Sequence, residues 1–213
     1  MKAFIFDMDG VIIDSEPIYL EINKKTLHHF NITVSTEDFN QFVGMTDHGV
    51  YAIVKEKYQV PQTIDEMLAY QSDLVWSTFK HLEAEPIDGI PELLQTLKEQ
   101  HIATAVASSS PKKIIEIILR QLKLDNYFNL IVSGQEVAQG KPAPDIFLET
   151  AQRLQISPAD CVVLEDSKNG SIAAKKAGMT CIGFQNLSSG NQDLRQADFI
   201  VDSIPAIDIF NLK

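Results

Sequence analysis

Only two cysteines, Cys161 and Cys181, occur among the 213 residues, too few for a disulfide scaffold. Both lie in apolar runs and read as buried thiols in a reducing compartment rather than as a bridge or a metal pair. Cationic side chains are also scarce: 18 Lys and Arg face 29 Asp and Glu, for a formal net charge of -11. A phosphate backbone must be met by clustered Lys and Arg, so this balance excludes nucleic acid as a partner. No apolar run approaches the roughly 18 residues that a spanning helix needs. The chain opens MKAFIFDMDG, where charge returns after four apolar positions, so neither a membrane partner nor a signal peptide is expected. The expectation is a soluble, cytoplasmic protein, in which the Asn-x-Ser/Thr triplets at Asn31, Asn169 and Asn186 are chance matches. Internal repeats and low-complexity segments are missing too, and nothing narrows the oligomeric state beyond a monomer or weak homodimer.

What the chain does have is a regular alternation. Hydrophobic residues make up 45% of it, enough for a substantial core. Runs at 2–6, 102–107, 129–133, 161–164 and 179–184 are continuously apolar, as parallel strands covered on both faces should be. Helical stretches at 90–100, 111–122, 144–155 and 168–177 fall between them, with Pro111 at one start and Gly178 at one end. This pattern predicts an α/β fold, a doubly wound parallel sheet of the Rossmann-like kind. From 16 to 81 the alternation stops, and only helical patterns occur, at 17–30, 35–42, 47–59 and 63–80. The reading is an all-helical domain, 16–81, inserted into a core formed by 1–15 and 82–213.

Ligands of open parallel sheets bind beyond the carboxyl ends of the strands. The residues following each apolar run are Asp7 and Asp9; Ser108, Ser109 and Ser110; Lys141, past a short loop; and Glu165 and Asp166. One rim thus gathers acidic pairs, hydroxyls and an ammonium. A phosphoryl group needs positive charge and donors around its oxygens, and an acidic protein must supply them locally. A hard divalent cation held by Asp7 and Asp166, for which Mg²⁺ is suited, would mask their charge. Asp7 could then attack phosphorus and carry an aspartyl-phosphate, while Asp9 protonates the leaving oxygen and later activates water. Lys141 and the Ser108 hydroxyl would hold the phosphoryl oxygens, with the backbone N–H of Ser109 as a neutral donor.

These residues resemble the motifs of the haloacid dehalogenase-like hydrolases. Asp7-Met8-Asp9-Gly10-Val11-Ile12-Ile13-Asp14-Ser15-Glu16 fits the first motif and Ser108 the second. Lys141 with Pro142 and Pro144-Asp145 fits the third, and Glu165-Asp166-Ser167 with Gly170 the fourth. The resemblance spans the chain, in the expected order and spacing. It implies that 16–81 is a helical cap closing over the site. It also implies that Asp7, the backbone oxygen of Asp9, and Asp166 bind Mg²⁺, with Glu165 a ligand or an outer-sphere partner.

Each feature taken singly has a plainer reading. Ser110 before Pro111 suits a helix cap, Asp145 caps the helix that begins near it, and Lys141 could be a solvated loop lysine. Convergence at successive strand ends favours the enzyme. The five histidines show no ligand spacing. Gly44-Met45-Thr46 either reaches the substrate or makes a plain turn, and Gly44 is kept as a candidate substrate contact. Tyr19, Phe42, Met45, Tyr51 and Trp76 are candidates for the pocket, although apolar spacing in helices also marks core.

Within the family, Asp9 argues against a dehalogenase, and no feature marks Lys24 or Lys25 as the desolvated amine of a phosphonatase. A phosphatase acting on a small phosphorylated metabolite, such as a sugar phosphate, is expected first. The alternative is a beta-phosphoglucomutase, which the stretch GKPAPDIF at 140–147 also resembles. The mutase pattern has a histidine ten residues after the second aspartate and an arginine three after the cap glycine. This chain has Tyr19 and Asp47 there. A non-catalytic phosphate-binding regulator would be favoured had Asp7 been lacking.

Overall fold

A computed structural model describes residues 1–35 and 47–212. The expected helix at 35–42 and the candidates Gly44, Phe42 and Met45 lie outside the described residues, wholly or almost so. The chain forms two compact units, Met1–Asp14 with Leu82–Lys213, and Ser15–His81.

The first unit is built on a parallel sheet of six strands in the order β3-β2-β1-β4-β5-β6. They are β1 Ala3–Phe6, β2 Ala103–Ser108, β3 Leu130–Ser133, β4 Cys161–Glu165, β5 Thr180–Phe184 and β6 Phe199–Val201. The five runs read as strands are strands, and the doubly wound α/β class holds. All four residues of the central strand β1 are fully buried, because Ala3 and Ile5 face one layer of helices and Phe4 and Phe6 the other. Each large apolar side chain buried this way stabilises the fold by about 1.5–3 kcal/mol. β1 pairs with β2 (Phe6 opposite Val106) and with β4 (Phe6 opposite Leu164), so these three strands end side by side.

The edge strand β6 was not anticipated. It has three residues, and Phe199 and Ile200 are 40% and 54% exposed, so it lacks the buried apolar run that marks a strand. Its strand character comes from pairing with β5.

Four helices of this unit follow the sheet, at Ile90–Glu99, Lys112–Gln121, Asp145–Leu154 and Lys168–Lys176. Two capping assignments need correction. Pro111, not Ser110, is the N-cap of the Lys112 helix and makes no side-chain cap bond; the Ser110 hydroxyl is engaged elsewhere. Asp145 is the first helical residue after an N-cap at Pro144, where its charge suits the helix dipole but its side chain is past the capping position. Gly178, with φ +75°, ends the last helix in the left-handed conformation that glycine adopts at least cost. Cys161 and Cys181 are free and buried, as read.

The second unit contains α-helices Glu16–His29, Asp47–Lys57 and Ile64–Lys80. The last begins with a capping box, Thr63 and Glu66 bonding each other's backbone N–H groups. Leu27, Val50, Tyr51, Val54, Val60 and Met67 form its core. Tyr51, a pocket candidate by sequence, is fully buried in that cluster and serves as packing. Tyr19 packs its ring on Phe79, 5.4 Å between centroids. Among the described residues, no helix is long and apolar enough to cross a membrane.

Candidate active site

Asp7 is the first residue past β1 and Glu165 the last of β4, and adjacent parallel strands bring them together. The Asp7 N–H donates to the Leu164 carbonyl at 3.0 Å, which extends the ladder one step into the site. After Asp7 the chain turns tightly: the Gly10 N–H donates to Ile13 O at 2.8 Å, with Gly10 at φ +76°. This turn aims Asp9 back toward the end of β2.

Lys141 arrives from the loop before the Asp145 helix. Its ammonium donates to Asp7 Oδ1 at 2.8 Å, Glu165 Oε1 at 2.7 Å and the Ala107 carbonyl at 3.2 Å. All three N–H bonds are thereby occupied. The ammonium also lies 5.1 Å from the centroid of the Phe147 ring, an attractive geometry for a cation. The side chains of Lys141, Asp7 and Glu165 are 7%, 11% and 0% exposed, so Lys141 is no solvated loop lysine. Burial pulls its pKa down, but the facing charges of Asp7 and Glu165 raise it well above the usual lysine value.

Asp7, Glu165 and Asp166 each place a carboxylate oxygen within 4.8 Å of the others'. Burial raises the Asp7 carboxyl to about 7, with Lys141 opposing and Glu165 and Asp9 adding to the rise. Burial likewise raises Asp166 to about 8, reinforced by the charges of Glu165 and Asp7. One ammonium cannot neutralise this many acids at close quarters. Three buried oxygen donors with excess negative charge have the character a hard divalent cation requires.

Glu165 is anchored on both oxygens. Oε1 meets Lys141, and Oε2 accepts from the Ser167 N–H and hydroxyl, each at 2.8 Å. Ser167 in turn caps the Lys168 helix through Gly170 N at 3.0 Å. A Cβ at Gly170 would fall 1.6 Å from Glu165 Oε1, so this helix can approach the site only with glycine there.

Asp9 belongs to a hydroxyl cluster. The Ser110 hydroxyl donates to Asp9 Oδ2 at 2.7 Å, while Ser108 Oγ lies 3.5 Å from the same oxygen and accepts from the Ser110 N–H at 3.0 Å. The Ser133 hydroxyl, at the end of β3, donates to the Ser110 carbonyl at 2.7 Å. Ser109 is exposed beside this cluster. Thus Asp7, Asp9, Ser108, Lys141, Glu165 and Asp166 converge at one end of the sheet. Ser133 joins them without having been singled out, and Ser110 joins as a partner of Asp9 rather than as a helix cap. The Ser-Ser-Ser run signalled Ser110, but its proline neighbour drew it toward a capping role.

The fold and this centre define an α/β enzyme with a buried acidic group and one ammonium at the carboxyl edge of a parallel sheet. The haloacid dehalogenase-like hydrolase family matches residues 4–184, and the chain belongs to it. A phosphorylated carbohydrates phosphatase of Thermotoga maritima is 33% identical over 179 residues, 84% of this chain and 82% of that protein. The beta-phosphoglucomutase of Bacillus subtilis is 32% identical over 210 residues, 94% of this chain and 89% of its own. A solved structure described as a putative beta-phosphoglucomutase from Thermotoga maritima superposes with TM-score 0.79 at 30% identity, covering 94% of each chain. The chain is an enzyme of the phosphatase kind within this family, a phosphoric monoester hydrolase.

Proposed function

We propose that the protein is a Mg²⁺-dependent phosphatase that hydrolyses a small phosphorylated metabolite, a sugar phosphate by the likeness to the carbohydrate-directed relative, through an aspartyl-phosphate on Asp7. The observation carrying this is the position of Asp7, one oxygen on the Lys141 ammonium at 2.8 Å and the carboxylate within reach of Glu165 and Asp166.

Asp7, Asp166 and the backbone oxygen of Asp9 would hold Mg²⁺, and the bound ion would supply the positive charge that masks the carboxylates from an incoming phosphate. Glu165, committed on both oxygens, acts mainly by holding Lys141 beside Asp7. The phosphoryl oxygens would meet the Ser108 hydroxyl, the Ser109 N–H and Lys141, which exchanges its longest bond, to the Ala107 carbonyl at 3.2 Å, for phosphate. An oxygen of Asp7 attacks phosphorus and the bond to the ester oxygen breaks. Asp9, oriented by Ser110, gives its proton to the departing alkoxide. Asp9 then takes a proton from water as that water attacks the phosphorus, freeing Asp7 and releasing phosphate. The helical unit is the cap of this reading, with domain limits of 16–81 inside 1–15 and 82–213, and substrate choice is assigned to it.

Water is favoured as acceptor because Tyr19 and Asp47 stand where the mutase pattern places a histidine and an arginine. Beta-glucose 1-phosphate with a catalytic amount of the 1,6-bisphosphate separates the two outcomes. Free phosphate supports the phosphatase, and glucose 6-phosphate would establish the mutase. A panel of phosphorylated metabolites scored by phosphate release then identifies the substrate.

A further inference from the structure

We propose that Asn186–Ser189, the turn leaving β5, is a strap that positions Asp166 for metal binding, with the Ser189 hydroxyl as its acting group. The inference rests on the functional reading above. Lys141 reaches Asp7 and Glu165 but not Asp166. Among the described residues, the Asp166 carboxylate takes its hydrogen bond from Ser189, whose hydroxyl donates to Oδ2. Both residues are buried, at 5% and 6% exposure, so water cannot replace this donor freely. Glycine at position 10 makes the meeting possible: a Cβ there would lie 2.0 Å from Asp166 Oδ2 and 2.6 Å from Ser189 Oγ.

The strap is tied at several further points. Asn186 Nδ2 donates to the Gly10 carbonyl at 2.9 Å, and Asn186 Oδ1 accepts from the Ser188 N–H at 2.9 Å. The Ser188 hydroxyl donates to Asp14 Oδ2 at 2.8 Å. Gln192 Nε2 donates to the Ser189 carbonyl at 3.0 Å, and its Oε1 accepts from the Lys168 N–H at 3.2 Å. Leu187, at the tip, is 90% exposed, so hydrogen bonds rather than apolar packing hold the turn. One short segment therefore references the Asp7–Asp14 turn, Asp166 and the start of the Lys168 helix to one another. Donors that orient a metal-binding carboxylate typically contribute 10–100-fold to metal affinity.

The test is Mg²⁺ binding to the metal-stripped protein, by isothermal titration calorimetry and by melting with and without Mg²⁺. Ser189→Ala is expected to weaken Mg²⁺ binding about 10–100-fold and to lower the Mg²⁺-loaded melt more than the metal-free one. Ser189→Thr, which keeps the hydroxyl, should restore affinity, and Asn186→Ala, which loosens the strap without touching Asp166, should cause a smaller loss. Leu187→Ser should bind as the wild type does. Wild-type affinity in Ser189→Ala, or equal lowering of both melts as a merely structural role would give, overturns the strap. If Ser189→Ala does not fold, wild-type affinity in Asn186→Ala overturns it instead. A wild-type protein that binds no Mg²⁺ refutes the functional reading first, and the strap with it.

Discussion

Replacing Gly170 by alanine inverts an ordinary expectation about helices. Gly170 sits in the helix Lys168–Lys176, where Gly→Ala normally stabilises by about 1 kcal/mol. Here the new Cβ would lie 1.6 Å from Glu165 Oε1, 1.8 Å from Cδ and 2.4 Å from Oε2. Non-bonded atoms need about 3.5 Å, so the carboxylate must retreat by roughly 1.5–2 Å. It is fully buried and bonded to Lys141 at 2.7 Å and to Ser167 at 2.8 Å, and no retreat preserves both. Breaking a buried pair costs about 3–5 kcal/mol. After the helix gain a net loss of about 2–4 kcal/mol remains, which for a chain of this size lowers Tm by about 5–15 °C. Displacing Lys141 from Asp7 should also lower kcat about 100-fold. Thermal melting and steady-state phosphate release measure the two effects. Gly140→Ala, where a Cβ meets nothing within 4 Å, is the control. Adding Gly170→Ala to Glu165→Ala should cost little, because the clash is already gone. A Gly170→Ala protein with wild-type or higher Tm and unchanged kcat would refute the reasoning.

Asp7→Asn should abolish turnover while far-ultraviolet circular dichroism stays native; activity near wild type would remove Asp7 as nucleophile. Lys141→Met should leave Asp7 and Glu165 buried without their cation and cost about 3–5 kcal/mol, read as a lower denaturation midpoint. In metal-free protein, burial raises the folded Asp7 and Asp166 carboxyls to about 7 and about 8, well above an ordinary aspartate. Between about pH 4 and 8 the folded state thus binds protons that the unfolded chain has released. Stability contributed by these groups is present at low pH and lost as pH rises, by up to about 1.4 kcal/mol per pH unit for each. EDTA-treated protein should therefore melt lower at pH 8 than at pH 5, with Mg²⁺ raising Tm more at pH 8; a metal-free Tm that rises across this window would contradict it. EDTA should also silence turnover and Mg²⁺ restore it, whereas metal-independent phosphate release would count against Asp166 as a ligand.

The sequence alone determined five of the six strands and the group of residues at their rim. Continuous apolar runs identify strands covered on both faces, and in a parallel sheet every such run delivers its next polar residue to the same edge. That is why Asp7, Ser108, Glu165 and Asp166 are legible together in the sequence. Local patterning could not say which partner each would find. Ser110 before proline has the look of a helix cap, yet it bonds Asp9, because the end of β2 lies against the Asp7–Asp14 turn and Ser133 holds the Ser110 carbonyl. β6 and the Asn186–Ser189 strap carry little apolar periodicity, so their placement depends on pairing with β5 and on hydrogen bonds to residues more than 170 positions earlier. Gly170 reads as part of the fourth motif, but the reason for it appears only where the packed structure puts Glu165 at the place its Cβ would take. Periodicity is a property of neighbours in the chain and sets the elements. Hydrogen-bond partners and steric room depend on segments distant in sequence, and only the tertiary structure could decide them.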